Sequence, residues 1–243
     1  MKTILSHFYN EEYLLPFWLN HHKRFFDHGI MINYASTDKS VEIIKSICPT
    51  WDIVNSKNEC FDANAVDREV EDYEQNIEGW RVCLNTTEFL IGEYESLNHY
   101  DSKSQILAQV YAMVDSKEIP FNSEIMNDLI LERTWGFAND NKGGCNYCRS
   151  LHNFPIKYPI GRHFRHVSGN EKFAILKYMF SPWNENMIKR KLQIQHRIPQ
   201  SDRDKGFGHQ HIRDRDSIQN DFISYQNLSE NLINMINKLY KPN

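Results

Sequence analysis

Several polar groups in this chain have types and spacings suited to chemistry. Glu11 and Asp38 each lie just past a short apolar run, Thr3 to Phe8 and Gly29 to Tyr34. A carboxylate at the end of a strand can accept hydrogen bonds from ribose hydroxyls, as in other nucleotide folds. The plainer alternatives are that Asp38 caps the following helix and that Glu11 is a solvated acid in a first turn. His209 and His211 stand two apart in a glycine-flanked run. On an extended strand both imidazoles share a face and can reach one ion or phosphate; otherwise they are two surface histidines. In Gly161-Arg162-His163-Phe164-Arg165-His166, alternation sets Arg162 with Phe164 on one face and His163 with Arg165 on the other. Guanidinium forks suit a diphosphate, although such a strand can equally be a solvated edge. Cys145, Cys148 and His152 make half a zinc site with no second cysteine pair to complete it, which favours free thiols.

The elements that must position these groups follow from periodicity. Thr3 to Phe8, Gly29 to Tyr34, Trp51 to Val54 and Arg81 to Leu84 are short apolar runs that read as strands. Between them, Tyr13 to Phe26 carries an apolar stripe of Tyr13, Leu14, Phe17, Trp18 and His21, with Pro16 in its first turns. A second helix opens at Ser36-Thr37-Asp38 and ends before Pro49, and a charged third spans Ala63 to Ile77. This β-α-β-α-β-α-β order predicts a mostly parallel sheet with right-handed crossovers. Later, Ser104 to Val114 reads as a helix, residues 139–146 as a loop, Gly169 to Phe173 as the lead into a helical segment, and Glu185 to Ile194 as a helix. Ser217 to Tyr240 carries a long apolar stripe, hence one or two C-terminal helices.

Three segments in order carry a family resemblance: Asn10-Glu11-Glu12 through Trp18 to His21-His22, then Ser36-Thr37-Asp38-Lys39-Ser40, then Trp80 through Asn85-Thr86-Thr87-Glu88. Together they resemble the opening of GT-A glycosyltransferases of the family 2 type, over roughly the first ninety residues. The resemblance implies a GT-A three-layer α/β/α sandwich with C-terminal helices and a nucleotide-sugar site. It sets Phe8, Tyr9 and Glu11 beside the base and ribose, with Asn33, Ser36, Asp38 and Arg68 completing the donor site. Ala35 and Lys39 stand where the family commonly has glycine. Asn85 and Thr87 stand where it has the two aspartates of D-x-D, so only Glu88 keeps a carboxylate. The family's Mn²⁺ or Mg²⁺ needs hard, charged oxygen ligands. Three alternatives follow: Glu88 holds a metal with distant help, for which His209 and His211 are candidates; cations such as Arg162 and Arg165 meet the diphosphate without metal; or transfer has been lost. An inverting transferase also needs a base, for which Glu171, His166 and Asp140 are candidates.

The length of 243 residues allows a full core, and the formal net charge of −4 gives no basic excess for nucleic acid as the main partner. No Gly-x-Gly-x-x-Gly follows the first strand and no P-loop occurs, which argues against dinucleotide or NTP-hydrolysis chemistry. Five cysteines without framework spacing, no signal peptide and no apolar run of membrane length set the expectation of a cytoplasmic protein. The expected organisation is a transferase domain over residues 1–212, with a donor half at 1–95 and an acceptor half at 96–212, followed by a helical segment at 213–243. The expected activity is transfer of a sugar from a nucleotide-sugar donor to a hydroxyl of a glycan or other acceptor. The alternative is an inactive nucleotide- or glycan-binding protein of the same fold.

Overall fold

The computed structural model describes residues 1–59, 61–138, 147–165, 167–206 and 212–242. The first half alternates strand and helix: β1 (Lys2–Phe8), α1 (Leu15–His22), β2 (His28–Asn33), α2 (Ser40–Ile47), β3 (Asp52–Asn55), α3 (Ala63–Glu74) and β4 (Trp80–Cys83). Parallel pairing gives the order β4-β1-β2-β3. Alternation along β1 sorts its side chains between the faces. Ile4 and Phe8 join Leu15, Trp18 and Ile44 of α1 and α2, whereas Leu5 packs with Ile32, Cys83 and Val70 of α3. Helices therefore cover both faces of this parallel block. The chain steps outward from β1 to β3 and then returns past β1 to β4. With right-handed crossovers, that reversal is what moves α3 to the opposite face.

The second half comprises β5 (Glu88–Gly92), β6 (Gln105–Val114), α4 (Leu129–Glu132), β7 (Trp135–Ala138), β8 (Cys148–His152) and β9 (Phe173–Phe180), then α5 (Glu185–Gln193), α6 (Gln200–Asp204), α7 (Arg215–Gln226), β10 (Glu230–Asn231) and α8 (Ile233–Leu239). β8 joins the halves, antiparallel to both β4 and β6. β9 runs parallel to β6 and antiparallel to β5, and β7 is antiparallel to β6 and β10. Ile218, Phe222, Leu232, Ile236 and Leu239 of the C-terminal segment enter the same apolar cluster as the sheet.

Three sequence expectations change here. Residues 105–114 form a strand, not a helix: Ile106, Ala108, Val110 and Ala112 are buried at every second position, a period of two. Gly169 to Phe173 leads into strand β9, whose Ala174, Ile175, Leu176 and Tyr178 are buried, and no helix follows until α5. The alternation read over 161–166 fails because Gly161 (φ 70°) and Arg162 (φ 58°) are both left-handed and turn the chain.

The aromatic and histidine residues of α1 have a positioning role. The Trp18 indole donates to the Glu88 carbonyl at 2.9 Å. His22 Nδ1 donates to the Trp18 carbonyl at 2.9 Å, so its Nε2 accepts from the Leu90 amide at 3.2 Å. His21 Nε2 donates to the Leu90 carbonyl at 2.7 Å. α1 thus fixes the start of β5, and with it the turn that precedes Glu88.

Candidate functional site

Open α/β sheets bind ligands beyond the carboxyl ends of their strands, at the point where the strand order reverses. Here that point lies between β1 and β4. The loop after β1 (from Tyr9) and the turn after β4 (from Asn85) flank it, because Leu5 of β1 pairs with Cys83 of β4. Leu84 extends the parallel ladder by donating its amide to the Leu5 carbonyl at 3.0 Å.

The loops after β1 and β2 are zipped to each other by side chains. Asn10 Oδ1 accepts from the amides of Thr37 (2.8 Å) and Asp38 (3.3 Å), and the Asn10 amide donates to Ser36 Oγ at 3.1 Å. Asp38 accepts from the amides of Glu12 and Ser40, each at 3.0 Å. Asn33 Oδ1 accepts from the Ser36 amide at 2.9 Å. The turn keeps a glycine-like backbone despite Ala35, which sits at φ 54°. Lys39, not Asp38, is the N-cap residue of α2 and no side chain caps it, so Asp38 instead ties the loop after β1 to the first residue of the helix.

Beneath the loops lies a layer of buried charge. His7 points from β1 toward α3, the face that alternation assigns it, and meets Glu69 at 3.3 Å. Glu69 also accepts from Ser56 Oγ, the Lys57 amide and Asn58 Nδ2 at 2.7, 2.7 and 3.0 Å. Burial alone would raise the Glu69 carboxyl, but these donors, His7 foremost, hold it at about 2. Burial lowers His7 to about 4, so it is a neutral imidazole at ordinary pH. Arg162 is buried against Asp67 of α3 at 2.6 Å and donates to Asn85 Oδ1 at 3.3 Å.

Glu88 is completely buried and fully engaged. Its Oε1 accepts from Arg149 Nη2 (2.8 Å) and the Tyr147 hydroxyl (3.2 Å), and its Oε2 from Arg149 Nε and the Asn85 amide, both at 3.0 Å. Burial favours the neutral acid, yet the Arg149 charge, followed by that of Lys177, holds the carboxyl at about 2. Lys177 lies directly across the β5–β9 ladder from Glu88 and donates to the Tyr147 hydroxyl at 2.8 Å. His163 stacks on Tyr147 with ring centroids 3.8 Å apart. Its pKa falls to about 2, first through burial and then through the charges of Arg149 and Lys177.

A strap runs over the loop after β1. Arg190 of α5 grips Glu11 with two bonds of 2.6 and 2.7 Å. Gln193 donates to the carbonyls of Tyr9 (3.2 Å) and Asn10 (2.8 Å). Arg197 lies over the Tyr9 ring at 4.8 Å and donates to the Tyr34 carbonyl, while His196 meets the Tyr9 hydroxyl at 3.3 Å.

The structure thus brings Tyr9, Glu11, Asn33, Ser36, Asp38, Asn85 and Glu88 to one end of the parallel block. Phe8 is packed inside the core and Thr87 is buried. Arg68 is exposed on α3, at the edge of a cleft of about 280 Å³ shared with Asp67, Glu71 and Lys157. Arg165 is exposed. Glu171 is exposed beyond the Gly92–Phe173 pair, at the opposite end of the β5–β9 ladder from Glu88. That end is about 13 Å away at a strand's rise per residue. Glu171 lines a larger cleft of about 690 Å³ with Gln109, Tyr111 and Lys238, remote from the point where the strand order reverses. The candidate residues Asp140, His166, His209 and His211, the loop at 139–146 and Cys145 lie outside the described residues. Cys148 is buried and its Sγ faces Gln109 and Val167 at 3.7 Å, while His152 turns to Glu74 at 3.2 Å, so the two do not converge on a metal. The sequence reading missed Arg149, His7 and Glu69. The signal for Arg149 was a lone charge in the strand Cys148–His152, which demands a buried partner. Arg190, in the basic run Lys189-Arg190-Lys191, carries no sequence sign of its distant partner Glu11.

No family model matches this chain, and no curated protein does. Among solved structures, S. aureus TarS residues 1–349 is 11% identical, with a TM-score of 0.33. That match covers 55% of this chain and 40% of TarS 1–349. The same protein in complex with UDP-GlcNAc gives 12% identity and a TM-score of 0.31, over 55% of this chain and 39% of that one. HddC from Yersinia pseudotuberculosis is 11% identical at a TM-score of 0.33, covering 73% of this chain and 77% of its own. The chain therefore spans about two fifths of the TarS fragment it matches, and these are remote likenesses.

Proposed function

We propose that this chain is a GT-A-type glycosyltransferase that moves a sugar from a nucleoside diphosphate donor to a hydroxyl of a glycan or other acceptor. The observation that carries this reading is the meeting of three motif segments at the reversal between β1 and β4. They are the loop from Tyr9 to Glu12, the loop from Asn33 to Ser40 and the turn from Asn85 to Glu88. Two of them are far apart in sequence from the third, yet all converge where an α/β sheet offers a ligand site. In this reading Tyr9 and Asp38 lie beside the base and ribose, and the turn at Asn85 faces the diphosphate. The acceptor oxygen attacks the anomeric carbon while the bond to the donor phosphate breaks, so negative charge grows on the departing nucleoside diphosphate. Inversion at the anomeric carbon is the outcome that the family resemblance favours.

One observation favours the second reading, a binding protein without transferase activity. Asn85 and Thr87 are uncharged, and Glu88 is neutralised by Arg149. Release of nucleoside diphosphate from a panel of UDP-, GDP- and dTDP-sugars separates the two. The transferase reading expects slow hydrolysis of one donor and an increase in its KM of about tenfold in Asp38→Ala. Binding of a donor with no turnover in the presence of any glycan acceptor supports the second reading.

A further inference from the structure

The resemblance implies a divalent cation at the turn from Asn85 to Glu88, and the donor set there does not fit one. A hard cation is held by several oxygens, at least some of them charged and open toward it. Glu88 is the one carboxylate of the turn, and its two oxygens already accept four hydrogen bonds, the usual full complement of a carboxylate. Freeing it would leave the Arg149 guanidinium buried and unpaired, which costs several kcal/mol. Asn85 Oδ1 faces the Arg162 guanidinium, a donor rather than an open position. Among the described residues, no three His, Cys, Asp or Glu side chains come together to hold a metal.

Cations stand around the turn instead. Arg149 lies behind it, Lys177 lies across the ladder from Glu88, and Arg162 bonds Asn85 itself. Among the described residues, Arg162 Nε is buried without a hydrogen-bond partner. A buried guanidinium donor with nothing to meet is costly unless a ligand supplies the acceptor. The depressed basicity of His163, caused by burial and then by Arg149 and Lys177, reports the same positive field.

We propose that this chain binds the diphosphate of its donor without a divalent cation, with Arg162 contacting the anion at the Asn85 turn and Arg149 and Lys177 supplying the field that a metal supplies elsewhere. This rests on the donor site proposed above and names how its anion is held. A fixed guanidinium suits the task, because its planar fork matches phosphate oxygens and it does not deprotonate.

The test is calorimetric titration of the purified chain with pyrophosphate and with UDP, GDP and dTDP, in EDTA and then in Mn²⁺. Electron paramagnetic resonance of Mn²⁺ with the protein alone is the second readout. The proposal expects one nucleotide to bind in EDTA within about twofold of its affinity in Mn²⁺, and an undiminished free Mn²⁺ signal. It also expects Asp67→Asn combined with Arg162→Gln, which removes both partners of the buried pair, to fold and to weaken nucleotide and pyrophosphate by about tenfold or more. Nucleotide binding that requires Mn²⁺, or protein that quenches the Mn²⁺ signal, overturns the proposal and leaves the donor site standing. Unchanged affinity in the folded double variant overturns the role of Arg162. Pyrophosphate binding in EDTA with no nucleotide bound in either condition overturns the donor site, and the proposal with it.

Discussion

At the scale of single residues, Glu88 shows how a site motif can become a structural one. The resemblance makes it a metal or diphosphate residue, but burial turns it into the partner of Arg149. A buried ion pair is a weak source of net stability, yet breaking one side of it is costly. Glu88→Gln is expected to lower the unfolding free energy by about 3–5 kcal/mol, read from urea unfolding. Glu88→Met with Arg149→Met is expected to recover most of that loss, since no uncompensated charge remains. A loss below about 1 kcal/mol in Glu88→Gln would mean that the carboxylate is not locked in this pair. Asp38 teaches the converse lesson. Its capping role and its proposed ligand role are rivals in the sequence; in the structure the N-cap is Lys39, and Asp38 accepts from the amides of Ser40 and Glu12 across two loops. The carboxylate at 38 shapes the loop whatever else it does.

At the scale of elements, the first ninety residues were readable because each strand is a short apolar run closed by a polar break, and each helix carries a stripe. Ser40–Ile47 lies within the helix expected between the Ser36 cap and Pro49. The second half was less readable because β6 mixes small and polar residues. Gln105, Gln109 and Ala112 do not separate period two from period 3.6 in the sequence, and only the neighbouring strands decide. The strap over the site was also hidden. Arg190 looks solvated in a run of Lys189-Arg190-Lys191, and its partner Glu11 is far away in sequence. The first turns of α5 are anchored in the core by Met187 and Ile188, so the strap is held from its far end by Arg190 and Gln193. Arg190→Ala is expected to speed amide hydrogen exchange of residues 193–204 by about tenfold while leaving β1 and β2 protected. Uniform faster exchange throughout the chain would mean that Arg190 supports the whole fold instead.

At the scale of the molecule, buried histidines make stability depend on pH in a definite order. Burial lowers His7 and His21 to about 4 and His22 well below its usual value. Each is neutral when folded and takes a proton in the unfolded chain below about 6.5. The unfolded state then binds more protons, so stability falls as pH drops from about 6.5 toward 4. Each of His7 and His21 accounts for about 3 kcal/mol over that window. Glu69 and Glu88, held at about 2, act lower: the stability they contribute is whole above about 4.5 and is lost as pH falls toward 2. The urea midpoint is thus expected to decline already between pH 7 and 5. A midpoint that stays level down to pH 4.5 would show that these histidines are solvated.

The proposed donor site lies at the reversal between β1 and β4, and the most direct measurement is to locate a nucleotide there. A crystal of this chain soaked with the best-binding of UDP, GDP and dTDP is expected to show the base and ribose beside Tyr9 and Asp38, with the diphosphate at Asn85 and Arg162. Nucleotide density in the cleft beside Glu171 and Lys238, or none at a saturating concentration in a crystal whose loops are open to solvent, would contradict the account.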